Sequence, residues 1–365
     1  MKYSLEELCN MIEWDSRFWN PTNLFKKRDL DGDQPGIYVA CSNRIGGKTF
    51  GIGQILLKYN FLTDRKFGLI ARVQDDLGNF GQGVLGSVLA EKYPGWKLIE
   101  KISGTKKWSE LFLVKVNDEG EESDERKIGY VFVLNAASRL KDYSSFFIDC
   151  DILFRDEFQS ESYLSAEISK FILLRGSIAR GGGEGVRFVP VIMCSNSLNP
   201  NNPYFAIWRI ATRVRPETHF LRGRGVVVEF FINEYSQKAQ KKDPFNKAFE
   251  NADMVNTSTD NTWLNKPWNC VSKVQKEWGK SAYICTLIEG DNEYGVRWFP
   301  DARIYHISRS VDKQCPSVYN LAPDGVEYVP GIRTGVIFVR LRQYYGLGQV
   351  RFSDIAVKDV MNLIM

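Results

Sequence analysis

Short apolar runs alternate with helically spaced segments through the first half of the 365-residue chain. Strands are predicted at 36–40, 65–73, 151–154, 186–196 and 225–231, and helices at 48–62 and 165–180. Two further runs, 111–116 and 127–135, flank an acidic turn and predict a hairpin. Strands separated by helices indicate an α/β sheet that is covered on both faces.

The pattern changes after residue 232. Residues 233–265 are polar and helix-prone, which is typical of a linker or a small lid. Beyond them, strand-like runs at 282–288, 294–299 and 303–308 are spaced by tight polar turns and predict an antiparallel meander. We therefore expect an α/β domain at 1–232, a linker or lid at 233–265 and a smaller α+β domain at 266–365.

Composition narrows the classes of function only modestly. The chain carries 48 basic and 44 acidic residues, a formal charge of +4, so any contact with nucleic acid should be a local patch. Seven cysteines without a C-x-x-C pair and two distant histidines favour buried thiols in a reducing compartment and disfavour a zinc site. The sequence shows neither a signal segment nor a membrane-length apolar run, so we expect a cytoplasmic protein without membrane contact.

The stretch CSNRIGGKTFG, residues 41–51, lies between a predicted strand and a predicted helix. It matches the phosphate-loop pattern G-x-x-x-x-G-K-[S/T] except that Ser42 stands where the first glycine belongs. In such a loop main-chain N–H groups hold phosphate oxygens, Lys48 reaches the β- and γ-phosphates, and the Thr49 hydroxyl binds Mg²⁺. A glycine turn that merely begins a helix is the alternative. The candidate nucleotide-binding residues of the loop are Ser42, Asn43, Arg44, Ile45, Gly46, Gly47, Lys48 and Thr49.

Two more predicted strands end in polar residues. The strand at 151–154 leads to Asp156 and Glu157, and the strand at 186–196 ends in Ser195 and Asn196. Asp156 can help to hold Mg²⁺, and Glu157 can orient and polarise an attacking water molecule. A solvated strand end is the alternative for a lone Asp-Glu pair. Neither Asn-Lys pair of the chain continues as N-K-x-D, so ATP is favoured over GTP.

Phosphoryl transfer also needs positive charge in the transition state. Arg180, in SIARGGGEGVR, and Lys141, just before the acidic strand, are the candidates, and a surface role is the alternative for each. Arg155 interrupts the apolar run that precedes the acidic pair. We therefore expect the strand to change the face that it presents to the core at this residue.

The ordered set SNRIGGKT, ILFRDEF, LLRGSIARGGG and MCSNSLNPNNPYF resembles the DNA-packaging ATPases of small short-tailed phages, the phi-29 kind of terminase-like ring motor. The resemblance implies an α/β P-loop ATPase of the additional-strand type, with an extra strand between the loop strand and the acidic strand. It also implies that Ser195 and Asn196 sense the γ-phosphate and that Arg180 is an arginine finger acting on the neighbour's ATP. Lys141 would likewise act on the ATP of the neighbouring subunit.

The resemblance further implies partners and a place of action. Five subunits would form a ring at the portal vertex of a preformed capsid in the host cytoplasm. The ring would use ATP and Mg²⁺ to drive double-stranded DNA into the capsid, and a packaging RNA between motor and portal is a further possible partner. The C-terminal domain resembles a degenerate RNase H-like nuclease, from which we expect no cleavage. A ring helicase or other nucleic-acid-dependent ATPase, and a binding protein that keeps a nucleotide fold without hydrolysis, are the alternatives.

Overall fold

The computed structural model describes residues 1–117, 119–123, 125–160, 163–164, 166–180, 185–197, 202–214, 218–250, 252–261, 270–321 and 335–358. The chain divides into two compact units. The first contains residues 1–198 and 215–264, and the second contains residues 199–214 and 265–365. This division differs from the predicted one, because 233–264 belongs to the first unit and 199–214 to the second.

The first unit is built on a mixed sheet. In the described part of the chain its strands are β1 (Ile37–Ser42), β2 (Lys66–Ala71), β3 (Trp96–Ile102), β4 (Trp108–Lys115), β5 (Arg126–Val133), β6 (Cys150–Arg155), β7 (Val191–Ser195), β8 (Phe220–Gly223) and β9 (Val226–Phe231), in the spatial order β3-β4-β5-β2-β6-β7-β1-β9-β8. The strands from β5 to β9 in this order are parallel. β7 lies between β6 and β1, which confirms the additional strand that the resemblance implied.

Helices pack against this sheet and connect its strands, and the second unit contains helices of its own. In chain order the helices of the described residues are α1 (Leu5–Asn10), α2 (Thr22–Phe25), α3 (Lys48–Thr63), α4 (Phe80–Lys92), α5 (Ala137–Leu140), α6 (Glu167–Ile178), α7 (Pro203–Ile207), α8 (Glu234–Lys242), α9 (Pro244–Ala248), α10 (Asp253–Asp260), α11 (Val336–Gly346) and α12 (Ile355–Lys358). The predicted helix at 48–62 is confirmed by α3. None is both long enough and apolar enough to cross a membrane within the described residues.

The helix α4 and the strand β3 are among the elements that were not predicted, and each has a physical reason. The helix α4 contains three glycines within its first seven residues, FGQGVLG, and glycine is the weakest helix former after proline. The strand β3 lies at the edge of the sheet and buries none of its residues fully, so it lacks a clear apolar alternation.

The predicted change of face at Arg155 is wrong. β6 continues through Arg155, which pairs with Met193 of β7 in regular parallel register. The Arg155 side chain is only 2% exposed and ion-pairs with Glu167, the first residue of α6. Because this carboxylate compensates the buried charge, the strand has no need to turn.

The second unit contains a smaller sheet. Its strands are β10 (Ala282–Glu289), β11 (Asn292–Phe299), β12 (Ile304–Ser308), β13 (Val318–Asn320) and β14 (Val350–Phe352), in the order β13-β10-β11-β12-β14. β10, β11 and β12 form the predicted antiparallel meander, and β13 and β14 add parallel strands at its two edges. No group of three or more potential metal ligands occurs among the residues that the structure describes.

Candidate functional site

The candidate phosphate loop connects the end of β1 to the start of α3. Ile45 and Gly47 take the left-handed backbone conformation, with φ angles of 61° and 83°. At Gly47 there is no room for a side chain either, because a Cβ would lie 2.8 Å from the Cβ of Phe18. The helix α3 begins at Lys48, directly after this turn. The loop and the first turn of a 16-residue helix therefore form a typical anion-binding arrangement.

Lys48 lies inside the loop. Its ammonium donates to the Ser42 hydroxyl at 2.7 Å and to the Asn43 carbonyl at 3.1 Å. Burial lowers the pKa of Lys48 from its ordinary value, against the opposing influence of nearby groups that include Asp156. Ser42 keeps a negative φ, so the conformation there does not require the glycine of the common pattern. Ser42, which stands in place of this glycine, supplies a hydroxyl oxygen that accepts a hydrogen bond from Lys48.

The acidic pair follows β6 and faces the start of α3. The Thr49 hydroxyl donates to Asp156 Oδ2 at 2.5 Å. Burial raises the pKa of Asp156, while the Thr49 hydrogen bond and the charge of Lys48 act in the opposite direction. Glu157 has a φ of 47°, and its main-chain N–H donates to Asp156 Oδ1 at 3.0 Å. A hydroxyl and a carboxylate side by side are ligands that fit Mg²⁺.

The end of β7 contacts the same loop. When the amide of Asn196 is assigned from its hydrogen-bond partners, its nitrogen donates to the Ser42 carbonyl at 3.1 Å and its oxygen accepts from Arg44 Nε at 3.3 Å. The Ser195 hydroxyl donates to the Asn196 carbonyl at 2.7 Å. Three predicted segments of the chain therefore meet at the carboxyl edge of the sheet, where α/β folds bind ligands.

A cavity of about 660 Å³ joins these groups. Its volume suits a ligand of nucleotide size. Lys48 and Glu157 both line it, as do Thr49, Asp156 and Ser195. Its other lining residues are Phe18, Arg44, Ile45, Gly46, Gly47, Phe50, Gly83, Ser87, Glu91 and Asn196.

Two solved structures resemble the chain over almost all of its length. One is a chain of the bacteriophage Phi-29 viral genome packaging motor assembly, with a TM-score of 0.60 and 15% identity over 96% of this chain and 100% of that one. The other is a chain of the Phi-28 gp11 DNA packaging motor, with a TM-score of 0.59 and 17% identity over 96% and 98%. This chain has the fold of the phage packaging-motor proteins. No family model and no curated protein matches it.

In this packaging-motor fold, Arg180 lies away from the cavity. The helix α6 runs back from the carboxyl edge of the sheet, so its end at Ile178 approaches the opposite edge. There the Arg187 N–H donates to the Ala179 carbonyl at 3.0 Å, and the Arg187 guanidinium contacts Asp151 in the first half of β6 at 3.1 Å. Arg180 is exposed, and the glycines at 181–183 lie outside the described residues. The structure does not bring Arg180 to the site of its own subunit.

Lys141 is not part of the cavity lining either. It is exposed and begins a 3₁₀ helix, Lys141–Phe147, that packs against α6. Lys141 and Arg180 are therefore both exposed on elements at the α6 side of the sheet. Their expected action on a neighbouring subunit stays a prediction.

The segment predicted as a linker or lid makes hydrogen bonds to the candidate phosphate loop. Asn43 is fully buried, and its Nδ2 lies within hydrogen-bond distance of the Asn233 carbonyl (3.1 Å), the Ser236 hydroxyl (2.9 Å) and the Thr259 carbonyl (3.2 Å). Its Oδ1 accepts from the Asn233 N–H at 2.8 Å. The Arg44 carbonyl accepts from the Ser236 hydroxyl at 2.9 Å. The Asn at 233 caps α8, a local signal that sequence reasoning could have used.

The aromatic residues of the N-terminal segment separate into different roles. Phe18 lines the cavity beside the loop, and it also lines a smaller adjoining pocket together with Trp14. Trp19 is 7% exposed, stacks on Phe231 with centroids 5.4 Å apart, and donates to Glu229 Oε2 at 3.0 Å. Trp19 therefore packs in the core, whereas Phe18 is one of two aromatic side chains, with Phe50, that line the cavity among the described residues.

Proposed function

We propose that this chain hydrolyses ATP and uses the free energy to move double-stranded DNA into a preformed capsid. One observation carries the proposal: Lys48, Thr49, Asp156 and Glu157 line a single cavity at the carboxyl edge of the sheet. The fold supports it, because solved chains of a viral genome packaging motor and of a DNA packaging motor match 96% of this chain.

The residues of the cavity would divide the chemistry among them. Loop N–H groups and Lys48 would bind the β- and γ-phosphates, and Lys48 would exchange the neutral oxygens of Ser42 and Asn43 for charged ones. Thr49 and Asp156 would hold Mg²⁺, which when bound neutralises phosphate charge. Glu157 would orient the attacking water molecule and accept its proton.

Movement would begin where β7 meets the loop. Asn196 bridges the Ser42 carbonyl and Arg44, and both Asn196 and Arg44 line the cavity. We infer that Ser195 and Asn196 sense the terminal phosphate, because its arrival or loss would change the partners available to Arg44. A change in the position of Asn196 would then shift the end of β7, which Asn196 directly follows.

We propose that subunits form a ring at the capsid's portal vertex in the host cytoplasm, and the resemblance implies five of them. Exposed Arg180 and Lys141 would each act on the nucleotide of a neighbour, since neither lines the cavity of its own subunit. The partners would be double-stranded DNA, the portal of the prohead, other copies of the chain and, within the same proposal, a packaging RNA. The second unit would contact these partners without cutting DNA.

Two substitutions test the hydrolytic core. Lys48→Ala should abolish productive nucleotide binding, and Glu157→Gln should lower ATP turnover by about 10²-fold or more while nucleotide still binds. Lys58→Ala, on the same helix α3, is the control and should leave turnover near that of the unmodified protein. Turnover is measured on the concentrated protein with and without double-stranded DNA.

The outcomes separate the alternatives. Unchanged turnover in both Lys48→Ala and Glu157→Gln would refute the site. Persistent absence of hydrolysis in the unmodified protein under assembly conditions would favour a binding protein that keeps a nucleotide fold. Strand displacement without movement along intact duplex would favour a helicase.

A further inference from the structure

The turn that carries Glu157 is held from the neighbouring strand. Arg72 directly follows the last residue of β2, which pairs in parallel with β6. Its Nη2 donates to the Phe158 carbonyl at 3.1 Å and lies 3.5 Å from the Glu157 carbonyl. Arg72 does not line the cavity, so its contact is with the main chain of the acidic turn.

The same guanidinium group joins a buried charge network. Glu167 Oε1 lies 2.5 Å from Arg155 Nη2 and 3.7 Å from Arg72 Nη2. Glu167 Oε2 accepts from the Leu164 N–H at 2.9 Å. Burial alone would raise the pKa of Glu167, but Arg155 and the Leu164 N–H outweigh it and bring the pKa below its ordinary value. The carboxylate is therefore charged and anchors both arginines to the start of α6.

The acidic turn needs such support because its backbone is strained. The left-handed region, which Glu157 occupies at a φ of 47°, is energetically unfavourable for a residue other than glycine. The surrounding main chain is fixed on several sides. The Glu157 N–H donates to Asp156 Oδ1, the Phe158 N–H donates to the Cys194 carbonyl at 3.2 Å, and the Phe158 carbonyl accepts from Arg72.

We propose that Arg72 is a positioning residue that keeps Glu157 in this turn and so aims its carboxylate into the cavity. Arg155, which breaks the apolar pattern before the acidic pair, anchors the turn to α6 through Glu167. This inference rests on the proposed function, because it gives Arg72 a role through the group that orients water. An error of about 1 Å in such a group can lower a rate by about 10²-fold.

The chain offers a matched control at the other end of the same strand. Arg65 directly precedes β2 and ion-pairs with Asp151 at 2.6 Å. The side chains of Arg65 and Arg72 are 39% and 26% exposed, so removing either deletes a partly buried arginine with a carboxylate partner. Only Arg72 contacts the acidic turn.

The first test separates rate from affinity. Arg72→Ala should lower kcat by about tenfold or more, while KM and the Kd of a non-hydrolysable ATP analogue change by less than about twofold. Arg72→Lys keeps one donor and the charge, so it should recover part of the lost rate and serves if the alanine variant fails to fold. Arg65→Ala should leave kcat unchanged. Equal loss in the Arg65 and Arg72 variants, or unchanged kcat in Arg72→Ala, would overturn the inference.

The second test asks whether Arg72 acts through Glu157. In single-turnover measurements on Glu157→Gln, adding Arg72→Ala should lower the residual rate by less than about twofold, because the group that Arg72 positions is already lost. A further tenfold loss in that background would show a separate structural role and contradict the inference. If Lys48→Ala and Glu157→Gln both have normal turnover, the proposed function fails. If only the Arg72 variants are normal, the proposed function stands and this inference alone fails.

Discussion

Arg155→Met should destabilise the first unit by about 3 kcal/mol. Removing one partner of a buried ion pair typically costs about 3–5 kcal/mol, because the remaining charge is left without compensation. Here Arg155 and Glu167 are 2% and 1% exposed, which places the pair fully in this class. Arg72 remains 3.7 Å from the Glu167 carboxylate and the Leu164 N–H still donates to it, so the lower end of the range applies.

The loss should be largely reversed by removing the second charge. In Arg155→Met/Glu167→Gln neither charge remains, and the glutamine oxygen still accepts from the Leu164 N–H. Replacing a buried pair by neutral groups is often close to neutral for stability. Each single variant leaves one buried charge unpaired, whereas the double variant should lose little, so we expect a favourable coupling of at least about 3 kcal/mol between the two substitutions.

Calorimetry of the full chain near pH 7 measures this effect. The Tm of the transition that includes the first unit should fall by about 6–12 °C in Arg155→Met, since about 1 kcal/mol corresponds to about 2–4 °C in domains of 150–250 residues. The pKa of Glu167 is lower in the folded protein, so the pair stabilises fully above the unfolded pKa and loses its effect as pH falls through the folded pKa. A fall below about 2 °C, or a double variant as unstable as the sum of the single ones, would refute the reasoning.

Other changes test the loop and its surroundings. Burial raises the pKa of Asp156, and only the ionised carboxylate binds metal. As the pH is lowered, Mg²⁺-dependent nucleotide affinity should therefore begin to fall at a higher pH than it would with an ordinary aspartate. An affinity that stays constant in a titration from about pH 7 to about pH 4 would contradict this. Asn43→Ala leaves buried donors and acceptors without their partner, so thermal unfolding should show a loss of about 1–3 kcal/mol in stability. An unchanged Tm would contradict a stabilising role for the Asn43 hydrogen bonds. Gly47→Ala should prevent binding of a fluorescent ATP analogue, because φ is 83° and Phe18 occupies the space for a Cβ. Normal binding of the analogue by Gly47→Ala would contradict this prediction. Gly176→Ala is the control: it lies in α6 with open space for a Cβ, and it should raise the free energy of unfolding by about 0.5–1 kcal/mol.

Local patterns were enough to predict much of the site. The loop at 42–49 combines a turn, a lysine and a helix start within a few residues, so its geometry follows from neighbouring residues. The acidic pair and Ser195 follow buried strands, and parallel strands bring their carboxyl ends to one edge. The order β6-β7-β1 came from the resemblance, because strand order is not contained in local periodicity.

Contacts between distant residues could not be predicted in the same way. Arg155 looked like an interruption of a strand, since its partner Glu167 lies beyond the acidic turn and shows no pattern of its own. Arg72 meets Phe158 only because β2 and β6 are neighbours in the sheet. The polar segment after residue 232 looked like a linker because its helices bury little apolar surface, and its hydrogen bonds to Asn43 connect residues about 190 positions apart.

The most direct test of the account is a structure of the assembled protein with Mg²⁺ and a slowly hydrolysed ATP analogue. We predict that the Lys48 ammonium contacts the terminal phosphate and that the Glu157 carboxylate reaches the same phosphate through one water molecule, at heavy-atom separations of about 3 Å for each step. Side chains of Lys48 and Glu157 that point to separate regions around the bound nucleotide would contradict the account.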